Sequence, residues 1–208
     1  MNELKRELSA SFLVYMDDII VGSSTEADHL ADIENFFKTI IRFGLKLRIE
    51  KCVWGVAEIK YLGLLISKQG SRPDPKNLEA VRKFEKPTTL SQLRSFIGCV
   101  SYFRRFIPKF AEIMAPLYEL TAGGQDQVQE KWAEAQDKAF KEVVERLLKA
   151  PVLAAPRFGY PFIIETDASH IAIAAVLLQK SPEDAKIHPI VYASRKLNQH
   201  EARYSFCP

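Results

Sequence analysis

Two short β-branched and aromatic runs, Phe12–Tyr15 and Ile19–Val21, flank Met16-Asp17-Asp18. That pattern predicts a hairpin with an acidic tip. Thr25 followed three residues later by Asp28 predicts a helix start, and Leu30, Ile33, Phe36, Phe37 and Ile40 then recur at helical spacing up to Gly44. Leu45–Leu47 and Ile59–Ser67 read as extended, with Gly70 and Pro73 closing the β-rich part. From Pro75 the period turns helical, punctuated by Pro87 and Pro108, with Thr89 and Gln92 at capping-box spacing and Ala111–Leu120 following. Gly123-Gly124, with polar neighbours, is the linker candidate. One long helix, about Trp132 to Lys149, then precedes β-type runs at Pro161–Thr166, Ile171–Gln179 and Ile187–Ala193. The order is β-rich, then helical, then β again, which predicts an α+β chain.

Composition narrows this only a little. The 208 residues are 47% hydrophobic and 26% charged, ordinary for a globular protein and too apolar for a disordered one. The longest apolar run, Ile171 to Leu178, is far short of the roughly 20 residues of a membrane helix. No charged-then-apolar leader opens the chain, and the three cysteines (Cys52, Cys99, Cys207) are odd in number without CxxC spacing. An intracellular chain with free thiols is expected, with no membrane partner. Net charge is only +3, but its distribution is uneven. Arg72 to Lys109 holds nine basic and three acidic residues, whereas Ala111 to Lys149 holds eight acidic and five basic ones. A basic segment followed by an acidic one suggests two modules with different partners.

The candidate chemistry lies in three places. At a hairpin tip the strand alternation breaks, so Asp17 and Asp18 can serve one site. Adjacent carboxylates there offer hard oxygen donors to Mg²⁺, and a pair of such ions about 4 Å apart drives phosphoryl transfer. A polar turn is the alternative, since Asp is a preferred turn residue. In the basic stretch, Arg94, Arg104 and Arg105 interleave with aromatics, as phosphate contacts do, beside a core stripe of Leu93, Phe96, Ile97, Val100 and Phe103. Asp167 ends an apolar strand, where it either holds a metal at a sheet rim or caps the strand. His29 and His170 stand at no ligand spacing, and Gly22, Gly44, Gly63 and Gly70 form no phosphate-binding pattern.

Taken together, these motifs resemble a stretch of the pol polyprotein of gypsy-type long-terminal-repeat retrotransposons. Phe12-Leu-Val-Tyr-Met-Asp-Asp-Ile-Ile-Val21 resembles the reverse-transcriptase palm motif, and Glu50-Lys51-Cys52 with Tyr61-Leu62-Gly63 is similar to the end of the palm and its primer-grip hairpin. Leu93-Arg-Ser-Phe-Ile-Gly98, Tyr102-Phe-Arg-Arg-Phe-Ile-Pro-Lys-Phe110 and Ala115-Pro-Leu117 resemble the thumb. Trp132, Gln136, Ala139-Phe140, Leu147 and Ala150-Pro-Val-Leu153 are similar to the connector. Phe162 to Gln179 and Pro189-Ile-Val-Tyr-Ala-Ser-Arg-Lys-Leu197 resemble the opening of a ribonuclease-H-like domain, with Asp167 at its first catalytic acid.

The resemblance implies a partial palm sheet over 1–71, a helical thumb over 72–122, a connector over 123–160 and a truncated ribonuclease-H-like mixed sheet over 161–208. It implies that Asp17, Asp18 and Asp167 are catalytic and bind Mg²⁺ (Mn²⁺ as an alternative). Tyr15, Met16, Tyr61, Leu62, Gly63, Arg94, Arg104 and Arg105 would contact nucleic acid. The implied partners are an RNA template with its DNA primer and, in the intact enzyme, a deoxynucleoside triphosphate. There are departures from the family pattern. An upstream palm aspartate and the fingers are not among Met1–Ala10, the next nuclease acid would lie just beyond Tyr204-Ser205, and Ala172 and Ala174 stand where the family usually has glycine. The expectation is therefore an enzyme fragment inactive alone, with a non-catalytic nucleic-acid-binding remnant and a decayed copy as alternatives.

Overall fold

A computed structural model describes residues 12–122, 127–198 and 200–203. The Gly123-Gly124 linker candidate, Met1–Ala10, Tyr204-Ser205 and Cys207 lie outside the described residues. The chain divides into two compact units, Met1–Trp54 and Gly55–Pro208. Among the described residues no helix is long and apolar enough to cross a membrane.

In the first unit, β1 (Phe12–Tyr15) and β2 (Asp18–Val21) form an antiparallel hairpin, with Phe12 opposite Val21 and Tyr15 opposite Asp18. Helix α1 (Glu26–Arg42) follows, its first turn capped by Thr25 Oγ1, which accepts from the Asp28 N–H. Phe36 and Ile40 bury against Phe12, with the Phe12 and Phe36 rings 5.9 Å apart, and Val14, Ile19, Val21 and Leu47 pack around them. Leu45–Leu47, read as extended, lies outside the strands of the described residues. Gly44 takes φ 64 and donates to Ile41 O, and the Leu45 N–H donates to Ile40 O, a Schellman closure of α1. That closure uses the Leu45 amide and turns Leu47 into the hairpin's core, so the segment builds no ladder among the described residues.

The second unit opens with a meander, β3 (Glu58–Tyr61), β4 (Leu64–Ser67) and β5 (Gly70–Pro73), all antiparallel. The extended region Ile59–Ser67 is two strands joined at Leu62-Gly63, the hairpin that the resemblance implied there, and the last strand, from Gly70, ends this β part at Pro73. β5 runs across position 71. Helix α2 (Pro75–Arg82) starts on Asp74, whose side chain accepts from the Lys76 N–H, with Pro75 at the first helical position. Helix α3 (Leu90–Tyr102) starts on the predicted capping box of Thr89 and Gln92. A 3₁₀ turn, Arg104–Phe106, leads to α4 (Phe110–Glu119).

The long helix expected from about Trp132 to Lys149 is α6 (Glu134–Leu148), separated by a break from a short helix, α5 (Val128–Lys131), just upstream. The break comes from side chains: Trp132 Nε1 donates to Asp137 Oδ1 at 2.6 Å, and Gln136 Oε1 accepts the Ala133 N–H at 3.1 Å. Both bonds suit an extended residue ahead of a new helix start. Leu93, Phe96, Val100, Phe106, Met114, Leu117, Val143 and Leu147 are buried together as one core between α3, α4 and α6.

The C-terminal sheet orders β6 (Phe162–Ala168), β7 (Ala172–Lys180) and β8 (Ile187–Lys196). Its described strands pair antiparallel throughout, where the resemblance implied a mixed sheet, because each is joined to the next by a tight connection that reverses the chain. Leu153 and Ala154 tie the two sheets together. Leu153 exchanges two backbone hydrogen bonds with Ser71 of β5, and the Ala154 N–H donates to Pro189 O of β8 at 2.8 Å.

Candidate metal carboxylates and nucleic-acid interface

The hairpin places Met16-Asp17 in a two-residue loop and Asp18 at the start of β2, with Tyr15, Met16, Asp17 and Asp18 all exposed. Met16 takes φ 49, a left-handed conformation that side chains disfavour and that primed hairpin turns require. Strand pairing on both sides over-determines that conformation, and strain of this kind collects at functional sites. Neither carboxylate is engaged by an ion pair among the described residues. They form no group of three His, Cys, Asp or Glu side chains there that could hold a metal alone.

Tyr61-Leu62-Gly63 closes the β3–β4 hairpin, with Leu62 at φ 46 and Gly63 at φ 73, the pair of positive angles that a two-residue primed turn needs. The turn is fastened from three sides. Gly63 O accepts from the Asp74 N–H at 3.1 Å and from Asn77 Nδ2 at 3.2 Å, and Leu62 O accepts from the Tyr102 hydroxyl. A Cβ on Gly63 would lie 2.8 Å from Asn77 Nδ2. Asp74 is buried and paired with Lys60 of β3. Hydrogen bonding from Lys60 and from the Lys76 amide holds its carboxyl below the usual range. The turn is therefore a rigid edge bolted to the first two helices of the unit.

The three arginines expected to act together are separated by their contacts. Arg94 is exposed on α3 and makes no ion pair among the described residues. Arg105 is exposed with its guanidinium 5.6 Å from the centroid of the neighbouring Phe106 ring. Arg104, by contrast, donates through Nη2 to Ser194 O of β8 at 3.0 Å, so part of its donor fork fastens the helical segment to the sheet.

Asp167 lies in β6 opposite Ala174, and its Oδ2 is 2.5 Å from Lys109 Nζ. Hydrogen bonding and charge attraction within this pair lower the Asp167 carboxyl and raise the Lys109 ammonium from their ordinary values. In the sequence Lys109 is one charge of a basic run and a member of the thumb-like motif, and nothing there marks Asn77 or Ser194. No local signal links Lys109 to a carboxylate 58 positions away, because that contact depends on how the helical segment docks on the sheet.

Residues 1–66 match the family described as reverse transcriptase (RNA-dependent DNA polymerase), and residues 132–207 match the RNase H-like domain found in reverse transcriptase. The second match includes α6 together with the C-terminal sheet. The chain is 32% identical over 206 residues to the Transposon Tf2-3 polyprotein of Schizosaccharomyces pombe, across 99% of this chain and 15% of that protein. It is 33% identical over 204 residues to the retrovirus-related Pol polyprotein from transposon 297 of Drosophila melanogaster, across 98% of this chain and 18% of that protein. A solved structure of the foamy viral protease-reverse transcriptase in complex with RNA/DNA hybrid superimposes with a TM-score of 0.81 at 26% identity, across 98% of this chain and 27% of that one. The chain spans less than a fifth of the length of these curated relatives. The chain thus carries a segment matching reverse transcriptases and a segment matching their RNase H-like domain, and over nearly its whole length it is similar to the Pol polyproteins of retrotransposons.

Proposed function

We propose that this chain serves RNA-templated DNA synthesis, with Asp17 and Asp18 as metal carboxylates and the segment from β3 through the Arg104–Phe106 turn as a grip on the primer–template duplex. The observation that carries the reading is the β1–β2 hairpin, which presents both aspartates, exposed and unpaired among the described residues, inside the segment matching reverse transcriptases. The donor chemistry fits Mg²⁺, a hard cation that takes carboxylate and water oxygens. When bound, such ions supply Lewis-acid activation of a primer hydroxyl and charge neutralisation on the departing pyrophosphate. The chain's own contribution is to present two negative charges side by side on a turn whose backbone is locked by strand pairing.

The Leu62-Gly63 edge, fixed by Asp74, Asn77 and Tyr102, presents a rigid surface to a primer end. Arg94 and Arg105 present guanidinium forks to backbone phosphates, which contributes affinity without base preference. Asp167 offers one carboxylate oxygen set to a second metal site on the RNase H-like sheet, and a cation, the Lys109 ammonium, already sits on it. Similarity over nearly the whole chain to transposon polyproteins favours the polymerase reading over a non-catalytic remnant.

The test uses the 208-residue chain with Fe²⁺ in place of Mg²⁺ and ascorbate, which cuts the backbone beside a bound ion. Cutting around residues 15–19, lost in Asp17→Asn and in Asp18→Asn, is the expected result. A fluorescent RNA/DNA hybrid should bind in the same preparation. A folded chain that binds no hybrid and shows no cut near the hairpin would refute the proposal.

A further inference from the structure

The register of the C-terminal sheet sets Asp167 opposite Ala174 and Ala174 opposite Ser194, so these three residues form one row across one face of β6, β7 and β8. The far end of the row is pinned to the helical segment. Ser194 Oγ accepts the Ala111 N–H at 2.9 Å and Ser194 O accepts from Arg104 Nη2 at 3.0 Å. Lys109 stands two residues before Ala111, in a left-handed conformation (φ 54), with its carbonyl accepting from the Glu112 and Ile113 N–H groups at the start of α4. Its backbone is thus fixed at the helix start while its side chain reaches Asp167 at the other end of the row.

We propose that Lys109 is a built-in competitor for a divalent cation at Asp167. The ammonium lies 2.5 Å from Oδ2 and takes up donor positions an incoming cation would use. The carboxylate has a second oxygen, but a divalent cation on either one would lie close enough to the ammonium for the two positive charges to repel. Loading Asp167 therefore works against Lys109, and the docking of the helical segment on the sheet, which positions the ammonium, sets how easily metal enters. The inference rests on Asp167 being a metal carboxylate, as argued above. Both partners are about half exposed, which puts the pair among the weak surface ion pairs. Competition should then lower metal affinity by roughly 1.5- to 5-fold.

The experiment titrates the full 208-residue chain with Mn²⁺ and follows paramagnetic broadening of the Asp167 and Ala168 amide resonances, which separates this site from the hairpin. Lys109→Gln should tighten binding at these resonances by about 1.5- to 5-fold, and Lys109→Arg, which keeps a cation, should restore the parent affinity. Broadening should vanish in Asp167→Asn with Lys109 either present or replaced. If Asp167→Asn removes the broadening but Lys109→Gln leaves its midpoint unchanged or raises it, the competition is refuted and Asp167 stands as a metal carboxylate. If the broadening persists in Asp167→Asn, or is absent from every variant, Asp167 is not a metal carboxylate, and the inference falls with that reading. The melting temperature of each variant shows whether the sheet is folded. Should Lys109→Gln fail that check, Lys109→Met decides by the same midpoint.

Discussion

Splitting Arg94 and Arg105 from Arg104 makes the duplex grip quantitatively testable. Each phosphate neutralised on duplex DNA contributes roughly 0.9 to the slope of log affinity against log salt. Arg94 and Arg105 are exposed and, among the described residues, held by no ion pair, Arg105 only lying over a neighbouring ring, so replacing both with alanine should lower that slope by about 1.8. Over a fourfold rise in salt, the parent should then lose about tenfold more affinity than the double variant. Arg104 donates to Ser194 O, so Arg104→Ala should act first on stability. An exposed charge-assisted hydrogen bond is worth about 1 kcal/mol, which lowers the melting temperature by about 2–4 °C in a unit of this size. Its slope should change by less than about half a contact. The assay is fluorescence anisotropy of a labelled 20-base-pair DNA duplex between 50 and 300 mM KCl, with thermal melts of each variant. An unchanged slope in a folded Arg94→Ala/Arg105→Ala chain would refute the phosphate assignment. A slope loss in Arg104→Ala as large as that of either other arginine would refute the division among them.

Gly70→Ala should be among the most damaging single changes. Its φ is +131, and a Cβ there would lie 2.0 Å from Leu153 O, forcing apart the two-bond bridge between Ser71 and Leu153. Two lost hydrogen bonds and a strained backbone add up to about 2–6 kcal/mol, and a melting temperature lowered by less than about 3 °C would show that the bridge contributes little. Glu201 gives a pH signature. Two hydrogen bonds from Arg195, at 2.7 Å each, and one from the Asn198 N–H pull its carboxyl from 4.5 down to about 2. A depressed carboxylate stabilises the fold above its unfolded value, and that contribution is lost as pH falls from about 4.5 towards about 2. The melting temperature should therefore drop more steeply across that window in the parent than in Glu201→Gln, and identical pH profiles would contradict the assignment.

The sequence alone determines every feature written in short-range periodicity and turn chemistry. Alternation broken by Met16-Asp17 specifies the first hairpin, because residues two apart share a strand face. Thr25 and the Thr89–Gln92 pair specify helix starts, because a cap reaches an amide only two or three positions ahead. The ordered motifs carry the resemblance to retrotransposon Pol polyproteins and set the aspartates on their expected elements. A local pattern says less about pairing: Leu45–Leu47 reads as extended, yet the Leu45 amide closes α1 and the segment joins no ladder among the described residues. The tertiary structure alone decides which charges meet. Lys109 and Arg104 look alike in sequence, as members of one basic run, yet one neutralises Asp167 and the other fastens Ser194 O. Both outcomes follow from the cross-strand row of Asp167, Ala174 and Ser194 meeting the start of α4. Register and docking are set by core burial summed over many residues, whereas a salt bridge on the surface is too weak to direct them. Such partnerships are therefore consequences of the fold, and no spacing in the chain announces them.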